Sequence, residues 1–358
     1  MYKQIFSKPF FILVASIFAL LAFLVSPPFE YDLYRHFERI KSISSLNFSE
    51  VIPNSKMGYY LFDIYAWITQ SLSFSIHFIP ASIVFAGYFL YFIVFQKLIA
   101  NNTQKIQLSN LFFILITFLL SINFISLTSG LRSGLATSLL IYITFELYTR
   151  RQITLFIIGS SFAFFIHPFS IAISFIVIIP LLFPVIKYFC KPIIILSIIA
   201  LLGTNVITVV LSNLETLLRN LSFYHGQYLS LTGEWGAAYI QKRNLNGIIG
   251  DFVITRLPIY IAFIYLILSR RISNYPIYIV LILISLYLGL FFSYYTLFDR
   301  MASFYILLFT VYISYQFLYF RNSFNKYFLL VYLSSLVAYS IYNLYNYRRL
   351  LLSIFTSK

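Results

Sequence analysis

Two short polar segments interrupt long apolar stretches and carry residue types that could bind an anion and move a proton. Arg132 lies in the first segment, between Gly130 and Gly134, and His167 lies in the second, directly before Pro168. Charged or titratable side chains at membrane depth are costly and usually line a water-filled site. A guanidinium offers a fork of donors for phosphate oxygens, and an imidazole can exchange a proton near neutral pH. The pair predicts a site for a phosphate-bearing anion. The alternatives are an arginine that extends to the membrane surface and a histidine that caps a broken helix.

Later apolar stretches contain further arginines. Arg256 follows Asp251 by five positions, and Asp299 directly precedes Arg300. Arg256 and Arg300 are candidate phosphate contacts. The alternative for each is an ion pair: Arg256 with Asp251 or Asp299, and Asp299 with Arg300.

An acid, an arginine and a histidine also occur close together near the N-terminus, at Asp32, Arg35 and His36. Arg35 is a further candidate phosphate contact, although the spacing alone favours a solvated loop over a site. Three aromatic residues in a later polar region are candidates for stacking on sugar rings, or for anchoring in the membrane interface. They are Trp235, Tyr224 and Tyr228.

The sequence predicts no metal site and no cofactor. Its four histidines and one cysteine show no ligand spacing, and it contains no phosphate-binding loop and no dinucleotide-binding glycine motif. The net charge of +15 would indicate nucleic acid binding in a soluble protein. Here the basic residues stand between apolar runs, so their predicted role is to set membrane topology and not to bind nucleic acid.

These residues must be positioned by membrane helices. The chain is 61% hydrophobic and only 10% charged, whereas soluble proteins average about 25% charged residues. Apolar runs near 20 residues recur along it, long enough to cross ~30 Å of hydrocarbon. We therefore predict one all-α polytopic membrane domain over residues 1–358, with about eleven spans. The spans are expected at about 9–26, 75–96, 109–128, 133–149, 152–166, 168–184, 192–212, 252–269, 275–294, 301–320 and 327–346.

Basic residues predict the orientation of these spans. A basic pair occurs at every turn expected to face the cytoplasm, up to the C-terminus, where Arg348 and Arg349 are the exception. Two longer loops, at about 27–74 and 213–251, are then external. An aromatic segment in the first, from Tyr59 to Trp67, is expected to lie in the membrane interface. His167-Pro168 predicts a break between two short helices near the same face, because a residue before proline is driven out of helical geometry.

Three motifs resemble a known family. The sequence Asn123-Phe-Ile-Ser-Leu-Thr-Ser-Gly-Leu-Arg132-Ser-Gly-Leu-Ala136, the basic pair Arg150-Arg151 and the segment Phe164-Phe-Ile-His167-Pro-Phe-Ser170 are similar to the EpsG-like branch of the Wzy polysaccharide polymerases. Asp32-Leu33-Tyr34 and Asp299-Arg300 also resemble family segments. Two departures are that serine stands at 133, where glutamine is common, and that proline follows the histidine.

The resemblance implies a membrane glycosyltransferase with a GT-C-like helical bundle that needs neither metal nor cofactor. Such an enzyme joins oligosaccharide repeat units linked to undecaprenyl pyrophosphate, by inverting transfer at the external face of the bacterial inner (cytoplasmic) membrane. Its implied partners are the lipid-linked oligosaccharide, membrane lipid and a chain-length regulator protein. Arg132, Arg256 and Arg300 would contact the pyrophosphate. His167, Asp32 or Asp299 would take the proton of the acceptor hydroxyl, and the sequence does not choose between them.

Other functions remain open at this stage. A flippase for lipid-linked oligosaccharides would also need arginines, but along a path reachable from both faces, and no inverted repeat is evident. An O-antigen ligase would share the donor and differ only in the acceptor. A membrane O-acyltransferase would place its site on the inner face. A monosaccharide transferase that uses a polyprenyl phosphate donor would rely on an acid in the first loop, either Glu30 or Asp32.

Overall fold

The computed structural model describes residues 7–29, 31–55, 59–101, 106–202, 253–269, 275–291, 295–320 and 323–356. Within these residues the secondary structure is helical and no strand is formed. The helices of the N-terminal half are α1 (Lys8–Phe23), α2 (Asp32–Ser44), α3 (Phe48–Asn54), α4 (Tyr60–Ser71), α5 (Phe78–Ala100), α6 (Leu108–Ser121), α7 (Phe124–Ser129), α8 (Leu131–Arg150) and α9 (Ile153–Ile166). Those that follow are α10 (Ser170–Leu182), a 3-10 turn (Pro184–Phe189), α11 (Cys190–Leu202), α12 (Leu257–Leu268), α13 (Tyr275–Leu290), α14 (Tyr295–Phe320), α15 (Ser323–Asn346) and α16 (Arg348–Thr356).

The chain divides into two compact units, which are Met1–Phe175 with Thr310–Lys358, and Ile176–Phe309. In the first unit α5 packs between α1 and α8, α8 packs against α9, and α6 packs against α15. In the second unit α13 packs against α11 and α12. The candidate residues Arg132, His167, Asp32 and Arg35 belong to the first unit.

The described part of the chain has three helices that are long and apolar enough to cross a membrane, namely Phe78–Ala100, Phe298–Phe320 and Ser323–Asn346. A bent pair, Ser170–Leu182 with Pro184–Ala200, turns through 95° and would make a fourth if it is one span. Shorter apolar helices accompany them, and a 14-residue helix such as α9 is only about 21 Å long at 1.5 Å per residue. The protein is thus a helical membrane protein, as its composition predicts.

Two sequence-based expectations are wrong in detail. The segment 27–74, expected as a loop, forms the helices α2, α3 and α4 where it is described. The expected span 109–128 is interrupted, because Ile122 is extended and Asn123 begins the separate helix α7. The Asn123 side chain causes this restart, since its Oδ1 accepts hydrogen bonds from the N–H groups of Ile125 at 3.0 Å and Ser126 at 3.2 Å.

The helix break at His167-Pro168 is confirmed. Helix α9 ends at Ile166, His167 has extended backbone angles of φ −152° and ψ 116°, and α10 begins at Ser170. The second expected loop, at about 213–251, lies outside the described residues.

Helices α2, α3, α4 and α16 form a cap of short helices, which packs where α1 ends and α8 begins. Leu33, Phe37 and Phe62 of the cap are buried together with Val25 and Leu131. The C-terminal helix α16 adds the buried Leu350 to this cluster, and the N–H of Ser26 donates to Oγ of Ser353 at 3.1 Å. The cap therefore combines segments from both ends of the chain and covers the end of α8 that carries Arg132.

Candidate anion-binding and catalytic site

Arg132 occupies the first turn of α8, which is seated closely against α7. A Cβ atom on Gly134 would lie 2.5 Å from Cδ1 of Leu127, and a Cβ atom on Gly87 of α5 would lie 2.9 Å from its Cδ2. Glycines at both positions allow Leu127 to fill the space between α5 and α8. This close packing at Gly134 fixes the starting point of the helix that carries the arginine.

The guanidinium of Arg132 lies on an aromatic shelf formed by Tyr59 and Phe62. Its Cζ atom is 3.6 Å from the centroid of the Tyr59 ring and 5.7 Å from that of Phe62. Both rings are buried, with 6% and 4% of their surface exposed. A cation over an aromatic face is stabilised electrostatically without losing its charge. The shelf therefore holds the guanidinium in place and leaves its charge uncompensated.

Arg132 lacks a carboxylate partner within the described part of the chain. No Asp or Glu oxygen there comes within 4 Å of its nitrogens, and Asp32 and Asp63 act on it only at longer range. Its side chain hydrogen-bonds with Tyr59, while its Nε is buried without a hydrogen-bond partner. Partly buried charges are normally paired, because desolvation is costly. This arrangement favours an anion as the missing partner.

The shelf is fixed by a buried ion pair between α2 and α4. Nη2 of Arg39 lies 2.8 Å from Oδ2 of Asp63, and Asp63 is only 1% exposed. The Ser55 hydroxyl donates to the same carboxylate oxygen at 2.8 Å, and Nη2 of Arg39 also donates to the carbonyl oxygen of Asn54 at 2.9 Å. Since Asp63 follows Phe62 directly, this network holds the start of α4 against α2 and orients the shelf.

His36 lies in the same cap, beside Asp32 and the shelf. Its Nε2 is 3.7 Å from Oδ2 of Asp32, and its ring centroid is 5.6 Å from that of Phe62. Burial is the main reason that the pKa of His36 is lowered to about 4. The positive charges of Arg132 and Arg35 also lower this pKa, and the negative charge of Asp32 raises it. The imidazole is therefore neutral at pH 7 and able to accept a proton.

Asp32 and Arg35 form an ion pair on the surface of α2, with Nη2 of Arg35 2.8 Å from Oδ1 of Asp32. Arg35 is exposed and neutralised by this contact, so the geometry favours it less than Arg132 as an anion contact. Asp32 lies in the first turn of α2, where a negative charge suits the positive end of the helix. Asp32 is thus placed to orient His36 through its second oxygen.

His167 lies at the same end of the bundle as Arg132. It ends α9, where its N–H donates to the carbonyl oxygen of Ala163 at 2.8 Å, and its side chain is buried. Close to it in sequence, Phe165 contacts Tyr60 of the cap with ring centroids 6.4 Å apart. The end of α9 that carries His167 thus lies beside the start of α4.

The remaining candidates with described side chains belong to the second unit. Arg256 precedes α12, is 3% exposed, and places its Cζ 4.1 Å from the ring centroid of Phe298. It also hydrogen-bonds with Tyr260. Asp299 and Arg300 are half-buried on α14. Arg256, like Arg132, lies over an aromatic ring, and both Arg256 and this ring belong to the second unit.

The comparison with protein families agrees with the motifs that surround Arg132 and His167. The model of the EpsG family matches residues 8–355, which is nearly the whole chain. The chain belongs to the EpsG family. No curated protein and no solved structure matches it.

In this EpsG family protein, the sequence alone assigns no role in the site to three residues, Tyr59, Asp63 and His36. The aromatic segment around Tyr59 was expected in the membrane interface, yet Tyr59 and Phe62 are buried beneath Arg132. The available signal was Asp63, an acid within an aromatic segment, since such an acid requires a partner. Trp235, Tyr224 and Tyr228, the candidates for sugar stacking, lie outside the described residues. Within the described residues, no cluster of three or more metal-ligating side chains occurs.

Proposed function

We propose that this EpsG family protein is a polysaccharide polymerase. It would transfer a growing glycan from undecaprenyl pyrophosphate to the terminal sugar of an incoming lipid-linked repeat unit, with inversion at the anomeric carbon. One observation carries the proposal most directly: Arg132 is held on Tyr59 without a carboxylate partner in the described chain. A diphosphate is an anion with the charge and oxygen geometry that such a guanidinium binds.

The chemistry follows from the position of this charge. When the glycosidic bond to the diphosphate breaks, negative charge develops on the leaving oxygen, and a fixed cation lowers the barrier by stabilising it. Arg132 can supply that stabilisation from the first unit, so the proposed step requires neither metal nor cofactor. Asp32 and His167 remain the sequence-based candidates for the base in this unit. Asp299, Arg256 and Arg300 stay proposals for the second unit.

The proposal places the cap at the periplasmic or outer face of the bacterial cytoplasmic membrane, in a GT-C-like bundle of about eleven spans. The distribution of basic pairs supports this orientation. Two single-cysteine variants in a Cys190→Ala background test this orientation. One has the cysteine at exposed Ser49 of α3, and the other has it at exposed Gln152 beyond α8. A maleimide that does not cross membranes should label S49C and not Q152C in intact cells. The reverse pattern would remove the proposed access to an external substrate.

The catalytic proposal is tested with purified full-length protein in lipid nanodiscs, supplied with lipid-linked repeat units. Wild type should lengthen them into a ladder of products, whereas a flippase would only move them and a ligase would require a different acceptor. Arg132→Ala should reduce elongation on the order of 10²–10³-fold, the usual cost of losing one transition-state charge contact. Arg132→Lys should recover part of the rate, because it restores the charge without the fork.

Arg150→Ala is the matched control for this experiment. Arg150 is an exposed arginine of the same helix, at the end far from the shelf, and its removal should leave the ladder unchanged. A normal ladder from R132A would remove Arg132 from the reaction.

A further inference from the structure

His36 is a buried imidazole that the proposed function has so far left unused. Only 5% of its surface is exposed, and neither ring nitrogen makes a hydrogen bond to any described residue, since Asp32 lies slightly too far at 3.7 Å. Its ring contacts Phe62, which is also in contact with Arg132. The aromatic shelf therefore has the anion-binding cation and a proton acceptor as neighbours.

We propose that His36 is the catalytic base of the glycosyl transfer, oriented by Asp32 and placed beside the diphosphate that Arg132 binds. This inference rests on the proposed function and specifies which group takes the proton. It favours His36 over His167 and over Asp32 itself. A proton on Nε2 faces the carboxylate of Asp32, which leaves Nδ1 with a free lone pair.

The proposed step balances in atoms and electrons. The acceptor hydroxyl oxygen forms a bond to the anomeric carbon and gives its proton to Nδ1 of His36. The bond between that carbon and the diphosphate oxygen breaks, and the lipid diphosphate leaves with the bonding electrons beside Arg132. The imidazolium then returns its proton to the departing diphosphate or to water, and the site is restored.

Substrate binding should change the basicity of His36. In the free protein, burial and the charge of Arg132 hold the pKa of His36 near 4. A bound diphosphate offsets the charge of Arg132, which lowers the pKa of His36 second only to burial, so this pKa should rise from about 4 on binding. A base of pKa near the working pH is the more effective catalyst. Burial and the charge of Arg132 together would thus keep His36 unprotonated until the substrate arrives.

Few other charged or titratable groups lie around His36 that could change its pKa when the substrate binds. On its own helix these are Asp32 and Arg35, which pair with each other. At the start of α4 they are Tyr59, which precedes the helix and lies beneath Arg132, and Asp63, which pairs with Arg39. Helix α7, which also packs on α2, contributes no titratable side chain. His77 packs edge-on against Phe37 of α2, with ring centroids 5.1 Å apart.

Calorimetry of ligand binding tests this coupling without requiring activity. The probe is farnesyl pyrophosphate, titrated into full-length wild type, His36→Gln and His77→Gln in detergent at pH 5.5 and 8, in buffers of different ionisation enthalpy. Wild type and H77Q should take up a proton on binding. Relative to H36Q, their affinity should be higher at pH 5.5 than at pH 8, by up to about tenfold if binding returns the pKa of His36 to 6.5. H36Q serves as the reference because the probe itself titrates in this range.

Elongation assays provide the second measurement. H36Q should lower kcat about 10²–10⁴-fold, which is the usual contribution of a general base. Its KM for the lipid-linked substrate should be nearly unchanged. H77Q should match wild type in both constants. Binding of the probe without proton uptake, or a wild-type kcat in H36Q, overturns the role of His36 and leaves the diphosphate site standing. Failure of wild type to bind the probe at either pH overturns the diphosphate site and this inference together.

Discussion

The charged side chains at the two ends of helix α8 have opposite surroundings. At the C-terminal end Glu146, whose side chain is 2% exposed, lies 2.7 Å from Nζ of Lys97 of α5 and 3.8 Å from Nη1 of Arg150. At the N-terminal end Arg132 rests on Tyr59 and meets no carboxylate at salt-bridge distance in the described chain. One helix thus carries both a satisfied ion cluster and an unsatisfied cation.

We infer that the difference separates a charge that serves stability from one that serves the proposed ligand. Breaking a buried pair leaves an uncompensated charge, so structural charges are matched within the protein. A charge that must bind an external anion needs support that does not neutralise it, and an aromatic ring provides such support. This reasoning predicts different consequences of substitution at the two ends.

The largest effect should come from giving Arg132 a carboxylate. Tyr59→Glu would convert the N-terminal end into a paired site like the one at Glu146, and its carboxylate would compete with the diphosphate for the guanidinium. Elongation should fall on the order of 100-fold, since a close charge pair contributes several kcal/mol. Tyr59→Phe keeps the aromatic face and should lose less than about tenfold. Equal rates in Y59E and wild type would show that Arg132 needs no free charge.

The next largest effect should follow from disrupting the ion pair that fixes the shelf. Asp63→Asn leaves Arg39 without its buried partner and should destabilise the cap by about 3 kcal/mol, with a reduced elongation rate. Glu38→Gln is the matched control on the same helix, because Glu38 pairs with Lys41 at 3.0 Å on the exposed surface and should change neither property measurably. Thermal unfolding in detergent and the elongation assay provide the two readouts. If D63N keeps full stability, the pair is not what holds α4.

A smaller effect is expected at the opposite end of α8. Glu146→Gln should lower stability by roughly 2 kcal/mol, because Lys97 and Arg150 lose their shared carboxylate, although both can reach water. The elongation rate per folded molecule should stay at the wild-type value. A selective loss of rate without loss of stability would break the distinction between the two ends.

The smallest effect should be a pH dependence of stability caused by His36. Its pKa is about 4 in the folded protein and 6.5 in the unfolded chain, so between these values the unfolded chain binds a proton that the folded chain does not. Stability should therefore fall as the pH drops below 6.5, by roughly 1 kcal/mol at pH 5.5 relative to pH 7.5. H36Q should lack this part of the pH dependence. If the free energy of unfolding changed by the same amount between the two pH values in H36Q and in wild type, the buried neutral imidazole would be contradicted.

The membrane class, the family and the helix break at Pro168 could be predicted because each depends on local sequence. Hydropathy reports span composition directly, and a residue before proline has restricted backbone geometry whatever surrounds it. Arg132 was also identifiable, since a charge beside a glycine pair in an apolar run is rare. These predictions require no knowledge of which helices meet.

The cap could not be predicted, because it depends on contacts between distant segments. From the sequence, Tyr59 is typical of a membrane-interface residue. Its position in the site follows only from Arg132, more than seventy positions later, which lies over its ring. His36 resembles a loop histidine until Phe62 and Asp32 enclose it. Burial of this kind is a tertiary property, and neither periodicity nor residue spacing encodes it.

The hydrogen bond between Ser26 and Ser353 joins positions 327 residues apart, and this has a consequence for biogenesis. While ribosomes are still translating α15, the segment that carries Leu350 has not been made, so the hydrophobic cluster beneath the cap cannot close. A newly inserted chain should therefore acquire its mature anion site only after α16 has been synthesised and has docked beside α1. Until then the protein would lack the complete site that we propose for lipid-linked sugars in the surrounding bilayer.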